Sequence, residues 1–382
     1  MLKIDIDTPV IDGISNGSAT GYSLLDVTPC PDTIAKIDKV QDIFTDTVFD
    51  DINQISLVSL FCGAGGLDLG FKQAGFSTSI AFDFNEAAVN SFNNSHLGNV
   101  ASVVDIEKTG AVGILELVKK KIPLGSEIAV IGGPPCQGFS QANANSTADD
   151  PRNLLPKVYL EIVKELMRHY SVNFLLIENV SGIRAAKHSD TLKGIVAEIQ
   201  KLGFQSHCEQ LNSAEHGVAQ IRKRMILIGL RKNASLNFKF PDKQKRMLTV
   251  RDAIGELPMP TFFKHSLTAE SIPYHQNHWT MNPRSKKFSA DYVAPPTSRS
   301  FKKVQWDMPS KTIAFGNREI LVHPSGTRRL SIYEAMLLQG FPKKFKLLGN
   351  LSDQVTQVSN AVPPPLAKAI ALSLKKAIVA SK

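Results

Sequence analysis

The segment from Gly132 to Ser140, GGPPCQGFS, contains a cysteine placed for nucleophilic chemistry. Two prolines restrict the backbone before Cys136 and the flanking glycines permit sharp turns, so the thiol would be held away from the chain. A thiolate exposed in this way is a suitable nucleophile. The other cysteines lack this context: Cys62 is better explained as a small packing residue, and Cys30 and Cys208 have no candidate role.

A carboxylate and two guanidiniums follow later in the chain and could act beside this cysteine. Glu178 ends the apolar run VNFLLIENV. A glutamate at a strand end is usually solvated or a cap, but a neighbouring nucleophile favours a functional role. In QIRKR, alternation along a strand places Gln220, Arg222 and Arg224 on one face. Two guanidiniums suit recognition of an anion or a carbonyl, although an exposed basic strand start would give the same pattern.

A glycine-rich turn, FCGAGG at 61–66, directly follows a buried-strand pattern and indicates a cofactor site. Asp83 ends the next strand 20 residues after Gly63, where a carboxylate would accept hydrogen bonds from a ribose. Asp105, at the end of a third strand, either accepts a hydrogen bond from an adenine amino group or caps the strand end. These residues do not separate a dinucleotide from S-adenosylmethionine, and a tight turn with a surface aspartate is the alternative.

The candidate residues lie at the ends of predicted strands, and these strands alternate with helices. Such alternation predicts an α/β fold with a doubly wound, mainly parallel sheet. The predicted strands are 55–61, 77–85, one that ends at 103–105, 127–133, 172–180, 204–211 and 224–231. The predicted helices end near 75, begin at 86, and span 154–170, 190–202, 331–341 and 363–380.

The pattern along the chain predicts four segments. Residues 1–54 form an acidic N-terminal extension without clear periodicity, and residues 55–235 form a domain that carries the cysteine and the glycine turn. Residues 236–350 form a smaller, loop-rich domain because periodicity is weak there. Residues 351–382 return to the first domain through an amphipathic helix that opens on prolines.

The net charge of +9 is the sum of opposed regions. Residues 1–54 carry −7, whereas residues 231–350 carry +13. A basic excess in one segment favours a polyanionic partner, with a solvated basic surface as the alternative.

No apolar run is long enough to cross a bilayer and the chain start shows no secretory signal, which predicts no membrane partner. Four irregularly spaced cysteines predict neither a metal cluster nor a disulfide framework, and favour a reducing compartment.

At this point the sequence resembles the cytosine-carbon-5 DNA methyltransferase family, of the bacterial modification-methylase type. The resemblance covers residues 56–231 and 304–372 and keeps the family's motif order. Its motifs are SLFCGAGGLDLGF (59–71), Asp83, VVDI (103–106), GGPPCQGFS (132–140), DPRN (150–153), ENV (178–180), QIRKR (220–224), RRLSIYEAMLLQGFP (328–342) and SNAVPPPLA (359–367).

The resemblance implies a Rossmann-like methyltransferase fold and S-adenosylmethionine as cofactor, without a metal. It implies that the cofactor site is formed by Phe61, Gly63, Ala64, Gly65, Gly66, Asp83, Asp105, Ile106, Pro134, Asn360 and Val362. The last two would close the pocket from the C-terminal segment.

The resemblance also implies a reaction on a cytosine flipped out of duplex DNA. Cys136 would add to carbon 6, and Glu178, protonated or sharing a proton with the ring, would contact N3 and the exocyclic amine. Carbon 5 would then take the methyl group. Arg224 would contact the cytosine carbonyl, while Arg222 would support the site and a nearby phosphate.

Four positions depart from the commonest family pattern. Asp83 stands where glutamate is usual, Ser359 replaces a frequent glycine, and Tyr333 and Leu337 stand where arginines are common. None of these changes removes a group that the reaction needs, so we expect an active enzyme.

DNA contacts are expected from two segments. The loop from Gln137 to Asp150 would close over DNA, with Gln137, Ser140 and the following Arg152 as candidate contacts. Residues 236–310 would form the target-recognition region. Candidate recognition residues there are His275, Asn277, His278, Trp279, Asn282, Arg284, Lys286 and Lys287, each of which could equally be a solvated loop residue.

We therefore expect a monomeric, cytoplasmic, nucleoid-associated bacterial enzyme whose partner is double-stranded DNA, with a restriction endonuclease as a possible functional partner. An RNA cytosine-5 methyltransferase and a catalytically silent DNA-binding homologue are the alternatives. The first is disfavoured because the Cys-Phe-Thr signature of the transfer-RNA branch is absent, and the second because Cys136, Glu178 and Arg224 are all present. A nicotinamide oxidoreductase would leave the Pro-Cys-Gln loop unexplained.

Overall fold

A central β-sheet with helices on both faces organises the protein in this computed structural model. The structure describes residues 55–96, 98–135, 155–184, 189–298, 300–313 and 321–381. The strands are β1 Ser56–Leu60, β2 Ser77–Asp83, β3 Ala101–Val103, β4 Glu127–Gly132, β5 Ser171–Val180, β6 Gln205–Asn212, β7 Gln220–Ile221, β8 Lys223–Leu230, β9 Thr261–Phe262, β10 Trp279–Thr280, β11 Lys302–Lys303, β12 Ser310–Lys311 and β13 Leu321–Val322.

Ten α-helices lie within the described ranges. They are α1 Gly66–Gln73, α2 Glu86–His96, α3 Ile106–Lys119, α4 Leu155–Leu166, α5 Ser189–Lys201, α6 Lys232–Asn237, α7 Val250–Ile254, α8 Ile332–Leu338, α9 Leu351–Asn360 and α10 Pro364–Val379. None of the helices in these ranges is long and apolar enough to cross a membrane.

Seven strands form the main sheet in the order β3-β2-β1-β4-β5-β8-β6. The first five run parallel, while β8 is antiparallel to both of its neighbours, β5 and β6. The predicted mainly parallel, doubly wound α/β fold is therefore confirmed. The strand order reverses direction between β1 and β4, and in sheets of this kind a ligand crevice opens outside the carboxyl ends of such strands.

Both faces of the sheet are buried, which explains why its strands are continuous apolar runs rather than alternating ones. On one face, Val58, Val130 and Leu175 pack with α3, α4 and α5. On the other face, Leu57 and Ile131 pack with α1 and α10. The chain's final helix is thus part of the main core rather than an appendage.

A third apolar cluster fills the region between residues 250 and 358, where most described regular elements are short. It includes Trp279, Ile313 and Met336, and also Ala64 and Leu69 from the first glycine turn and α1. The smaller, loop-rich region is therefore packed onto the cofactor end of the sheet. Its predicted boundaries at 236 and 350 stay a prediction.

Candidate active site

The ends of the central strands meet along one edge of the sheet. Leu60 is paired with both Phe82 and Gly132, and Gly132 is paired with Ile177. We call this the carboxyl edge, made of residues 60–66, 83–84, 132–134 and 178–180. Because β8 is antiparallel, it begins at this edge, and Arg224 is paired with Val180.

The glycine turn at the end of β1 has an unusual backbone that Asp83 holds in place. Phe61, Gly63 and Gly65 all have positive φ, 55°, 54° and 82°. The Gly63 amide donates to Asp83 Oδ2 at 2.8 Å, and the Asn85 amide donates to Oδ1 at 2.9 Å. Burial raises the pKa of Asp83, an effect that these amide hydrogen bonds oppose. A carboxylate has about four acceptor sites, so Asp83 keeps capacity for a ligand beside these amides.

The C-terminal segment reaches the same turn. We call residues 358–362 the C-terminal strap; they comprise the end of α9 and the start of its connection to α10. The strap's Val362 carbonyl lies so close to Gly66 that a Cβ there would clash with it. Val362 is buried and Asn360 is exposed. The structure therefore brings the strap and the glycine turn together, as a shared cofactor site requires.

Other predicted cofactor residues lie around the turn in different environments. Ala64 and Pro134 are buried, and Ile106 packs in the core at the start of α3. Asp105 caps α3 by accepting from the Lys108 amide and forms an ion pair with the Lys108 ammonium at 2.9 Å. Its capping role is thus realised, and its proposed contact with adenine would have to use a remaining lone pair.

Phe84 was not singled out from the sequence, yet it is the exposed aromatic ring at this edge. Its side chain is 67% exposed directly after the buried Asp83. The sequence did contain a signal for this residue. Phe84 directly follows the strand-end acid Asp83, and an apolar ring beyond the end of a buried strand has no core residues to pack against. Such a face suits stacking on a flat ligand ring.

Glu178 and Arg224 form an ion pair at the carboxyl edge. Arg224 Nε lies 2.9 Å from Glu178 Oε1, and the two side chains are only 13% and 10% exposed. Oε1 is buried and the contact is an ion pair without hydrogen-bond geometry, so Oε1 has no hydrogen-bond partner. A Cβ at Gly133 would lie 3.3 Å from Oε2, so glycine keeps space in front of the carboxylate. The pair offers a hydrogen-bond donor and an acceptor to one small polar ligand.

Arg222 is buried near this pair, and its side-chain hydrogen bond goes to a different segment. Its side chain is 1% exposed, and its Nη2 donates to the Ser359 carbonyl of the C-terminal strap at 2.6 Å. Its Nε and Nη1 have no hydrogen-bond partner, and neither does the side chain of buried Gln220. Burial and the nearby Arg224 lower the pKa of Arg222, an effect that the Glu178 carboxylate opposes.

Four predicted site residues lie outside the described residues: Cys136, Gln137, Ser140 and Arg152. Cys136 directly follows Pro135, which is described just after β4. In the described part of the chain, no group of three or more histidine, cysteine, aspartate or glutamate side chains is arranged to hold a metal ion.

A family model described as C-5 cytosine-specific DNA methylase matches residues 55–376. The chain belongs to this family. Type II methyltransferase M.MthTI of Methanothermobacter thermautotrophicus is 34% identical over 345 residues, which cover 84% of this chain and 97% of that relative. M.FnuDI of Fusobacterium nucleatum, also a Type II methyltransferase, is 30% identical over 353 residues, covering 85% and 95%.

The fold is shared with a solved structure. A prophage-encoded protein of E. coli, described as a DNA modification methyltransferase, superposes with a TM-score of 0.67 at 24% identity and covers 85% of this chain and 99% of that chain. At this identity the likeness supports the fold alone. Together with the family match, it makes the protein a cytosine-C5 methylase built on a methyltransferase sheet.

Some predicted recognition residues of this methylase are internal. Asn277, His278 and Trp279 are all buried. The ring nitrogens of His278 contact Ser331 Oγ at 3.0 Å and the Pro258 carbonyl at 2.8 Å. A role in holding the recognition region together is therefore favoured for His278 over contact with DNA.

The same holds for its neighbours. Asn277 donates to the Leu347 carbonyl at 2.8 Å and to Gln354 at 3.0 Å, and the Trp279 indole donates to Gln354 at 3.2 Å. The His275 ring stacks on Tyr333 with centroids 4.0 Å apart. The residues left at the surface are Asn282, Arg284, Lys286 and Lys287.

Proposed function

We propose that this methylase transfers a methyl group from S-adenosylmethionine to carbon 5 of a cytosine in duplex DNA, through a covalent bond between Cys136 and carbon 6. The observation that carries the proposal is the buried Glu178–Arg224 ion pair at the carboxyl edge, beside the glycine turn. It holds a carboxylate and a guanidinium where one cytosine ring could contact both.

The residues at the ends of β1 and β2 fit S-adenosylmethionine. A Cβ at Gly63 would meet nothing within 4 Å, so the turn borders open space. Asp83 has free lone pairs for ribose hydroxyls, and Phe84 offers a stacking face for adenine. Further proposed contacts come from Phe61, Ala64, Gly65, Gly66, Asp105, Ile106, Pro134, Asn360 and Val362. When bound, S-adenosylmethionine supplies an electrophilic methyl group.

The target cytosine must leave the base stack, since carbons 5 and 6 cannot be reached inside a duplex. The Cys136 thiolate then forms a bond to carbon 6, and electron density moves to carbon 5. Arg224 donates to the cytosine carbonyl, and Glu178 contacts N3 and the exocyclic amine, so both stabilise this charge. Carbon 5 takes the methyl group as the bond between sulfur and methyl breaks, which leaves S-adenosylhomocysteine. Loss of the carbon-5 proton to a base then breaks the bond to Cys136.

Bisulfite sequencing of an unmethylated plasmid tests this proposal. After incubation with the enzyme and S-adenosylmethionine, we expect protected cytosines at one recurring short duplex sequence. Random protection, or none, would refute sequence-specific methylation. A parallel reaction with transfer RNA should stay unmethylated, and methylation there would favour the RNA alternative.

Replacing the nucleophile gives a sharper test. Cys136→Ser should abolish methyl transfer because a hydroxyl is a far poorer nucleophile than a thiolate, while DNA binding in a gel-shift assay should remain. Retained turnover in the purified variant would rule out the covalent mechanism.

We further propose that the enzyme acts as a cytoplasmic monomer, with a restriction endonuclease of the same target sequence as its functional partner. Support comes from the Type II methyltransferases among its relatives. Plasmid methylated by the enzyme should resist cleavage at the site that bisulfite sequencing defines. Sedimentation should give a mass near 41.8 kDa, and a dimer mass would contradict the monomer.

A further inference from the structure

Arg222 lies where two strands with different partners meet. It is the single residue between β7, which pairs with β12, and β8, which belongs to the main sheet. The β12 strand borders the recognition region. Two further bonds tie it to this junction: the Ser310 amide donates to the Ala219 carbonyl at 2.9 Å, and Thr312 Oγ1 donates to the Ile221 carbonyl at 2.8 Å.

The backbone at Arg222 is fixed from both sides. The Ser213 amide donates to the Arg222 carbonyl at 3.0 Å, and the Arg222 amide donates to Ser213 Oγ at 3.2 Å. The same hydroxyl donates to the Gln220 carbonyl at 2.6 Å. These bonds fix the Arg222 backbone between β7 and β8, so the guanidinium reaches its partner only while both strands keep their positions.

The tip of the side chain reaches a third segment. Its guanidinium donates to the Ser359 carbonyl, 137 residues away in the chain, at 2.6 Å. Ser359 belongs to the C-terminal strap, and the strap's Val362 carbonyl packs against Gly66. One side chain therefore connects the segment that closes the cofactor turn to the start of the strand that carries Arg224.

A packing role alone does not explain a guanidinium in this place. Burying a charge is costly unless its hydrogen bonds are made, yet Nε and Nη1 are unpartnered, and the like charge of Arg224 outweighs the opposite charge of Glu178 nearby. A methionine of similar length would fill the same space without that cost. What the guanidinium adds is a directed hydrogen bond to the strap.

We propose that Arg222 is a positioning residue that couples closure of the C-terminal strap over the cofactor to the alignment of two features. These are Arg224 and the paired strands β7 and β12, which border the recognition region. The proposal rests on the proposed function, because it concerns how the cofactor and DNA sites of that reaction communicate. A coupling of this kind is reciprocal: cofactor binding strengthens DNA binding by the same factor by which DNA strengthens cofactor binding.

The coupling factor is the ratio of DNA dissociation constants without and with saturating S-adenosylhomocysteine. The probe is a fluorescent duplex that carries the sequence found by bisulfite sequencing. For the wild type we expect a factor of at least about 5. In Arg222→Met and Arg222→Gln the factor should fall to within about twofold of 1, since methionine has no donor and glutamine is too short to reach the Ser359 carbonyl.

Lys223→Gln is the matched control, because it removes a positive charge from the exposed neighbouring residue and should keep the wild-type factor. A merely structural role would lower the melting temperature of the Arg222 variants and leave the factor unchanged, which overturns the proposal. A wild-type factor of 1 overturns it too. If the wild type bound neither S-adenosylhomocysteine nor DNA, the proposed function itself would fail.

A measurement on the wild type keeps the proposal testable even if the Arg222 variants do not fold. Hydrogen–deuterium exchange should show the amides of 219–222 and 310–312 exchanging more slowly when S-adenosylhomocysteine is bound without DNA. Protection confined to 61–66, 83–85 and 358–362 would mean that cofactor closure stops at the strap.

Discussion

Asp83 orders the backbone of the glycine turn as well as standing where a ribose would bind. Its two oxygens accept the Gly63 amide of the turn and the Asn85 amide just beyond β2. The family pattern favours the longer glutamate at this position. The shorter side chain is held within 2.9 Å of these amides, so the turn and the carboxylate form one rigid unit.

Replacing this carboxylate should weaken cofactor binding. Asp83→Ala should raise the apparent KM for S-adenosylmethionine about tenfold or more, because hydrogen bonds to a charged group contribute about 1.5–3 kcal/mol. Steady-state kinetics at saturating DNA measure the change. Asp83→Asn keeps one acceptor oxygen, so its apparent KM should lie between those of the wild type and Asp83→Ala. An unchanged KM in both variants would show that this carboxylate does not hold the ribose.

Asp68 is a second buried carboxylate, behind the cofactor turn in α1. It is 1% exposed and accepts hydrogen bonds from Ser59 at 3.0 Å and Thr78 at 2.9 Å. Burial raises its pKa to about 6, although the two hydroxyls oppose the shift. Between about pH 4 and pH 6, Asp68 therefore keeps its proton in the folded state, whereas in the unfolded state it has lost it.

This shift makes a signed prediction for stability. A carboxyl whose pKa is raised on folding contributes stability below its unfolded pKa, and that contribution is lost as the pH rises through the folded value. The unfolding free energy of Asp68→Asn minus that of the wild type should therefore grow by about 2 kcal/mol from pH 4 to pH 7. Urea denaturation across this range measures it.

The control for this prediction is Asp291→Asn, which removes an equal charge at an exposed position. Its difference from the wild type should stay nearly constant with pH, because an exposed side chain keeps its solvation on folding. A flat difference for Asp68→Asn as well would mean that Asp68 has an ordinary pKa in the folded protein.

At the scale of elements, α1 lies directly against α10, and glycines make the close approach possible. A Cβ at Gly70 would clash with Ala367 Cβ and would lie only 2.6 Å from the Lys368 amide nitrogen. The strap enters α10 at this contact. The packing of the two helices therefore sets where Val362 meets the glycine turn.

Gly70→Ala should lower the free energy of unfolding by about 2 kcal/mol or more, because the added methyl meets backbone that cannot move aside. Gly194→Ala in α5 is the matched control: its new Cβ would meet nothing within 4 Å. That exposed helical site should gain about 0.5–1 kcal/mol. Urea denaturation compares the two. Equal effects would show that α1 and α10 are not in close contact.

At the scale of the whole molecule, positive charge is concentrated on residues 231–350. These residues carry a net charge of +13, whereas the whole chain carries only +9 because the rest is net negative. Arg284, Lys286 and Lys287 are exposed in the loop that follows β10. Their neighbours Asn277, His278 and Trp279 are buried, so the loop presents charge while the residues before it anchor the loop.

This arrangement predicts the salt dependence of DNA binding. The double variant Lys286→Gln and Lys287→Gln should weaken binding and reduce the slope of log K against log salt by about 1 per lost phosphate contact. Fluorescence anisotropy at several salt concentrations measures the slope. The matched pair Lys120→Gln and Lys121→Gln, also exposed, should leave it unchanged. Equal salt slopes for the two double variants would show that DNA does not contact Lys286 and Lys287.

The sequence by itself determined the strand and helix order and the chemical groups at the strand ends. Apolar runs and turn residues are local signals, so β1 to β5 and most of their flanking helices were predicted within a few residues. The helix α3, Ile106–Lys119, was not predicted. The glycine turn, Asp83 and Glu178 were found because parallel strands bring their carboxyl ends to one edge.

Only the tertiary structure decided what depends on distant partners. A period of two does not encode strand direction, so the antiparallel β8 that brings Arg224 to Glu178 was not foreseeable. Local sequence also does not separate a buried polar residue from an exposed one when its partners are far along the chain. His278 is buried by contacts that include Ser331, 53 residues away, and Arg222 by contacts that include Ser359, 137 residues away.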